Sequence, residues 1–344
     1  MPYNIQDSDL CTHCPHGVCV SYIREQSRRM KDRNTLYRLS QKKAMACCYE
    51  EWIPGFTTSI SPDEPLTAFL EQLVGNARRA GEKLQSQRPN YFGNPEAPFV
   101  LTPGQIGKVR GDVSEFLSRA ILWNCCVVAN RISEHRALPT FPHLHLGLRT
   151  MKPLQFKVAI ISLGDNYNLQ KLFAPRSSRE LRTLEETLQS RSLSLSYSTP
   201  DLVAVRLDRL DAQVGLFFDT PLESLSSQSQ QTLEEARHQL EGRIEAEDVL
   251  FACGLKTSIR SDRMYQFLFE ANAWKYLWRR AFAVSPCPYH TVVSRSFGAN
   301  SDKLKSVDFS SPQTDLSRAI DSFALVESPA KLIEWFVRTI GHLS

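Results

Sequence analysis

Apolar residues change their spacing along this chain, and the changes divide it into elements. Over 65–82 they recur every three to four positions, the period of an amphipathic helix. Pro, Gly and Asn then crowd 89–103, which is loop composition. From 112 to 131, Val113, Phe116, Leu117, Ala120, Ile121 and Trp123 return at helical spacing and predict a long buried helix. Pro139, Pro142 and Pro153 interrupt that pattern. Short apolar runs at 156–163, 202–207, 249–253, 290–294 and 323–326 predict strands. Helical patterns at 178–189, 230–241, 261–282 and 329–341 lie between and after them. Strands alternating with helices predict an α/β fold, a central mixed sheet flanked by helices. Residues 1–100 form a helical N-terminal region on that core, 101–344. The Ser/Gln-rich stretch 224–231 is expected to be a solvated loop. No internal repeat is present.

A chain of 344 residues accommodates one large domain or two modest ones. Hydrophobic residues at 42% supply a core, and aromatics at 10% argue against a disordered chain. No run of about 18 apolar residues predicts a transmembrane helix. The polar, acidic first ten residues do not suit a secretory signal. Nine cysteines without such a signal point to reduced thiols in a cytosol. The adjacent pairs Cys47-Cys48 and Cys125-Cys126 fall in apolar helical patterns and are expected to be small buried hydrophobes. A net charge of +4 excludes a polycation but leaves room for a local basic face. Residues 21–43 carry eight basic side chains, Arg33 among them, against Glu25 and Asp32. That stretch is either an ordinary solvated helix face or a phosphate contact.

The chemistry-bearing residues are fewer. Ser198-Thr199-Pro200-Asp201 runs directly into the apolar stretch 202–205, so Asp201 stands at a strand mouth, stiffened by the preceding proline. Lys256 closes the run that begins at Val249, and Glu270 follows fourteen residues later on a helix starting near Ser261. Two carboxylates and an ammonium are what phosphodiester hydrolysis requires. Carboxylates hold Mg²⁺, an oxygen-seeking ion; the ion stabilises charge on the phosphate and promotes hydroxide formation; an ammonium positions water and offsets developing charge. Singly, a Pro-Asp is most often a turn and a strand-end Lys most often solvated. Between Lys256 and Glu270 lie Arg260, Ser261, Asp262 and Arg263. Ser261 is a good N-cap. Arg forks fit guanine O6 and N7 and Asp accepts from cytosine N4, so the cluster suits G·C pairs in a major groove. The plain alternative is a capping acid with two surface arginines. Arg263, Gln266 and Glu270 share one helix face.

These stretches resemble the restriction endonucleases that cut CCGG-containing sites, the SgrAI/NgoMIV-like group, and stand nearest its SgrAI branch. The resemblance is carried by Ile53-Pro54-Gly55-Phe56, by Lys108-Val109-Arg110-Gly111-Asp112-Val113-Ser114-Glu115 running on to Trp123-Asn124-Cys125, by Ser198-Thr199-Pro200-Asp201-Leu202, by Arg260-Ser261-Asp262-Arg263-Met264-Tyr265-Gln266, and by Glu270-Ala271-Asn272. It implies a PD-(D/E)xK nuclease core and a type II, Mg²⁺-dependent enzyme with up to two ions per site. Asp201, Lys256 and Glu270 would form the catalytic centre, with Glu115 an additional acid. Asp201, Glu270 and Glu115 would be the magnesium ligands, and Arg260, Asp262 and Arg263 would recognise the CCGG core. It also implies double-stranded DNA as partner, 5′-phosphate and 3′-hydroxyl products, a homodimer or larger DNA-induced assembly, a companion methyltransferase and a bacterial cytoplasm. Two departures stand out. The general motif has an acid two residues before the lysine, where this chain has Gly254; the resemblance implies that Glu270 takes over that role. Ser114 precedes Glu115 where an aromatic residue is expected.

Lys108 lies seven residues before Glu115, on the same face if the helix starts that early; it and Arg33 are further candidates for DNA contact, with plain solvation the simpler reading. Cys11, Cys14 and Cys19, interleaved with His13 and His16, allow a structural zinc, although no second CxxC pair completes the pattern. His143 and His145 form an isolated loop pair. No Walker-type phosphate loop occurs. A repair nuclease with little sequence preference and a non-catalytic zinc-containing DNA-binding protein are the competing readings.

Overall fold

The computed structural model describes residues 103–139, 151–164, 167–194, 199–223, 227–257, 261–294 and 317–343, together with Leu148, Ser306, Asp308, Phe309 and a few positions in 63–71. Among these, a five-stranded sheet runs in chain order: β1 (Val158–Ile161), β2 (Leu202–Arg206), β3 (Val249–Lys256), β4 (Tyr289–Val293) and β5 (Ser322–Leu325). β1, β2 and β3 pair antiparallel, whereas β3, β4 and β5 pair parallel. β1 to β4 are buried along nearly their whole length, as their continuous apolar runs require. The expected mixed sheet with flanking helices is therefore present.

Among the described residues, these α-helices lie around it: α1 (Pro103–Ser133), α2 (Pro175–Gln189), α3 (Ala212–Phe217), α4 (Ser227–Leu240), α5 (Ser261–Leu277) and α6 (Pro329–Gly341). α1 is the long buried helix predicted from 112–131, but it starts at Pro103, where proline is tolerated because the first helical N–H has no partner in any case. Every residue from Ala120 to Asn130 is buried, Cys125 and Cys126 included, as expected for a helix enclosed on all sides. Its two asparagines make that enclosure specific. Asn130 donates to Val158 O (2.9 Å) and accepts from Val158 N (2.8 Å), locking the helix to the first residue of β1. Asn124 does the same to Leu222, at 2.9 and 2.8 Å. Asn130→Ala would strand both backbone groups of Val158 and is expected to cost roughly 2–4 kcal/mol, measurable as a lower denaturant midpoint with the fold retained.

β3 runs from Val249 to Lys256, with Lys256 at the strand end as expected and Gly254 a paired strand residue. Two expectations, the loop at 224–231 and the single helix over 261–282, need correction. Residues 227–231 are helical: Gln228, Gln230 and Gln231 face solvent, while Ser229, Leu233, Ala236 and Leu240 are buried. The pattern over 261–282 is two elements: α5 ends at Leu277, a π-helical turn spans Trp278–Phe282, and Ala283 closes it at φ 51°. That turn seats Trp278 and Phe282 against Phe173 at 6.1 and 5.0 Å between ring centres. No helix among the described residues is long and apolar enough to cross a membrane.

Candidate active site

The antiparallel pairing of β2 with β3 sets Leu202 opposite Cys253, which brings Asp201, one residue before β2, beside the last turn of β3. Asp201 Oδ2 accepts from Leu255 N at 2.7 Å and from Lys256 Nζ at 2.8 Å, and Oδ1 lies 3.2 Å from the same ammonium. Pro200 restricts the backbone there, and the two strand ends fix the pair from opposite sides. Both side chains are about one-quarter exposed, so the pair sits at the rim of the sheet and not in its core. Burial opposes the charge on Lys256. The Asp201 carboxylate, with Glu270 and Glu115 further out, outweighs it and holds the ammonium above the usual lysine range. The two strand-end groups named from sequence are thus in direct contact, and both further acids act on the lysine they join.

Glu270 lies on α5 and is only 4% exposed. Its carboxylate is held at both oxygens: Gln266 Nε2 donates to Oε1 at 2.8 Å and the Tyr289 hydroxyl donates to Oε2 at 2.9 Å. The Gln266 contact is the four-residue helix spacing anticipated in the sequence. Tyr289 was not anticipated; an aromatic opening an apolar strand carries no signal beyond core. Burial first, then the charges of Glu270 and Asp201, push its phenol well above the ordinary range, so it remains a donor.

Gly254 explains why an acid does not stand two residues before Lys256. A Cβ at that position would meet Phe267 Cε1 at 3.1 Å, the Tyr289 hydroxyl at 3.2 Å and Phe267 Cδ1 at 3.3 Å. Phe267 comes from α5 and Tyr289 from β4, so the space of the missing side chain is filled by the two elements that carry and hold Glu270.

Glu115 lies on α1, whose neighbouring Ser114 is 3.5 Å from Ser294 at the end of β4, oxygen to oxygen. Ser294 N in turn donates to Lys256 O at 3.1 Å, so α1 abuts the same sheet edge as the lysine. Glu115 pairs with Arg119 one turn on, at 3.6 Å. Arg119 was also missed from sequence. Its guanidinium is mostly buried, which lowers its pKa, and Glu115, Glu234 and Asp201 counter that. Among the described residues no three His, Cys, Asp or Glu close into a metal-ligand cluster. The donors that do gather around Lys256 are carboxylate oxygens, the chemistry a hard divalent ion takes.

α5 begins at Ser261, which is the first helical residue and not the cap before it, and this sets Asp262 and Arg263 in the first turn of the helix that bears Glu270. The side chains of Lys108, Asp262 and Arg263 lie outside the described residues, as do Arg33, Arg260, the cysteine group Cys11, Cys14 and Cys19, Cys47 and Cys48, and His143 and His145.

Residues 117–332 match the family model described as Cfr10I/Bse634I restriction endonuclease. The chain belongs to that family. It is accordingly a restriction endonuclease, a type II site-specific deoxyribonuclease. In fold it is similar to Bse634I restriction endonuclease, with a TM-score of 0.63 and 19% identity over 88% of this chain and 92% of that one. It is similarly close to the type IIF restriction endonuclease Bse634I with cognate DNA, at a TM-score of 0.62 and 19% identity over 87% and 92%. No curated protein sequence is a match.

Proposed function

We propose that this restriction endonuclease is magnesium-dependent and cuts both strands of a palindromic duplex site built around CCGG, in the manner of the SgrAI/NgoMIV-like enzymes. The observation that carries this reading is the Asp201–Lys256 contact at adjacent strand ends, with Glu270 and Glu115 both acting on the same ammonium. Magnesium, in one or two ions, would be held by Asp201, Glu270 and Glu115, and supplies charge neutralisation at the phosphate and a more acidic water. Lys256 donates a hydrogen bond to the attacking water or to a non-bridging phosphate oxygen, offsetting the charge that builds there. Attack in line with the departing 3′ oxygen breaks the P–O3′ bond, leaving 5′-phosphate and 3′-hydroxyl ends. Arg260, Asp262 and Arg263 recognise the core base pairs from the start of α5, with Glu270 two turns along the same helix, so one rigid element links recognition to cutting. Lys108 and Arg33 contact phosphates or flanking pairs.

One site per chain and a twofold target imply at least a homodimer. Residues 1–100 serve as a DNA-contacting region and 101–344 as the nuclease core, in a bacterial cytoplasm protected by a companion methyltransferase. The test is digestion of a plasmid of known sequence with Mg²⁺ and mapping of the ends. Cuts confined to CCGG-containing sites are expected; cuts at sites lacking CCGG overturn the specificity. Arg263→Ala is expected to cost about 1–3 kcal/mol of discrimination at one G·C pair, read from relative cleavage rates on single-substituted oligonucleotides.

A further inference from the structure

We propose that Tyr289 is the positioning residue that makes Glu270 serviceable as a ligand acid; this rests on the reading of Glu270 given above. Tyr289 is wholly buried, and its hydroxyl meets both Glu270 Oε2, at 2.9 Å, and the space above Gly254, at 3.2 Å from where a Cβ would stand. In the parallel register Tyr289 faces Ala252, so Tyr289, Gly254 and Lys256 point to one side of the sheet. The hydroxyl therefore enters the slot that a strand-borne acid would otherwise fill.

The position of Tyr289 is fixed without help from Glu270. Its N–H donates to Asp321 Oδ2 at 2.8 Å, and its carbonyl accepts from Asp321 N at 2.9 Å. Asp321 is held in turn by the buried Lys275 at 2.8 Å. A helix-borne carboxylate reaching back to a strand lysine has longer leverage than one on the strand itself. Tyr289 and Gln266 remove that freedom by engaging one oxygen each.

The test uses the full-length enzyme on cognate duplex, comparing Tyr289→Phe, Glu270→Gln and Tyr167→Phe. The last removes a tyrosine hydroxyl that donates to Glu241 at 3.1 Å, the same contact type away from the site. Calorimetric titration of Ca²⁺ into the DNA-bound protein and Mn²⁺ dependence of cleavage are measured, with thermal unfolding alongside. Tyr289→Phe is expected to weaken cation binding by ~10–100-fold, the usual effect of releasing a ligand's outer hydrogen-bond partner, and to recover activity at raised Mn²⁺. Tyr167→Phe should shift unfolding alone. Gln266→Leu, which frees the other oxygen from the solvent side, should move cation affinity in the same direction and guards against a poorly folding Tyr289→Phe. Unchanged cation affinity in both Tyr289→Phe and Gln266→Leu, with Glu270→Gln inactive, overturns the inference and leaves the reading of Glu270 intact. Wild-type cation affinity and cleavage in Glu270→Gln overturn both.

Discussion

Lys256→Met is expected to lower the single-turnover rate of DNA cleavage by roughly 10²–10³-fold or more, with duplex affinity little changed. Methionine keeps the apolar stem and removes only the ammonium. The ammonium stands 2.8 Å from Asp201 and feels the charges of Glu270 and Glu115. The fold should tolerate the change. The ion pair is partly exposed and therefore contributes little to stability, about 1 kcal/mol or less. Asp201 also keeps its bond from Leu255 N. Loss of cutting would then reflect lost chemistry and not unfolding. Rates are followed on plasmid with excess enzyme and binding by gel retardation in Ca²⁺. Full cleavage by Lys256→Met would remove the lysine from the mechanism, and loss of binding in parallel would assign it to DNA affinity instead.

The Asp201–Lys256 couple could be anticipated because each residue ends an apolar run, and strand ends at the same sheet edge are where polar groups can meet while their strands stay buried. Glu270 was legible as the third charged group of the trio, on the helix that follows Lys256, but not as a buried acid: nothing in the periodicity of α5 distinguishes it from a surface carboxylate. Its supporting groups divide the same way. Gln266 follows from four-residue helix spacing, a local rule. Tyr289 comes from a strand nineteen residues on, and only the parallel register of β3 with β4 brings its hydroxyl to the carboxylate. Gly254 shows the limit most clearly. In sequence it reads only as a missing acid within a strand, whereas in the fold its missing side chain makes room for Phe267 and Tyr289. The early start of α4 was hidden for a related reason. Ser and Gln are loop-like in composition, yet the helix accepts them, with Gln228 and Gln230 toward solvent and the small Ser229 buried, once Leu233 anchors the next turn.

Gly254→Glu, which would restore the acid of the general nuclease motif, is expected to damage the enzyme. The new Cβ would stand 3.1 to 3.3 Å from the Phe267 ring and the Tyr289 hydroxyl before any further atom is added. Neither neighbour can swing away freely: Phe267 is buried on α5, and Tyr289 is tied through its backbone to Asp321. Crowding of this kind costs about 1–3 kcal/mol, and the added carboxylate would enter a buried space already holding Glu270. Like charges at close range disfavour ionisation of both, so one acid would tend to take up a proton and be lost as a cation ligand. The denaturant midpoint should therefore fall for Gly254→Glu, by less for Gly254→Ala, and cleavage should fall in both, further in the glutamate variant because it displaces the hydroxyl that holds Glu270. Equilibrium unfolding and Mn²⁺-dependent cleavage of the two variants provide the comparison. A Gly254→Glu protein as stable as the parent and at least as active would mean that the slot above β3 is not closed, and that the acid's place on α5 owes nothing to the packing of Phe267 and Tyr289.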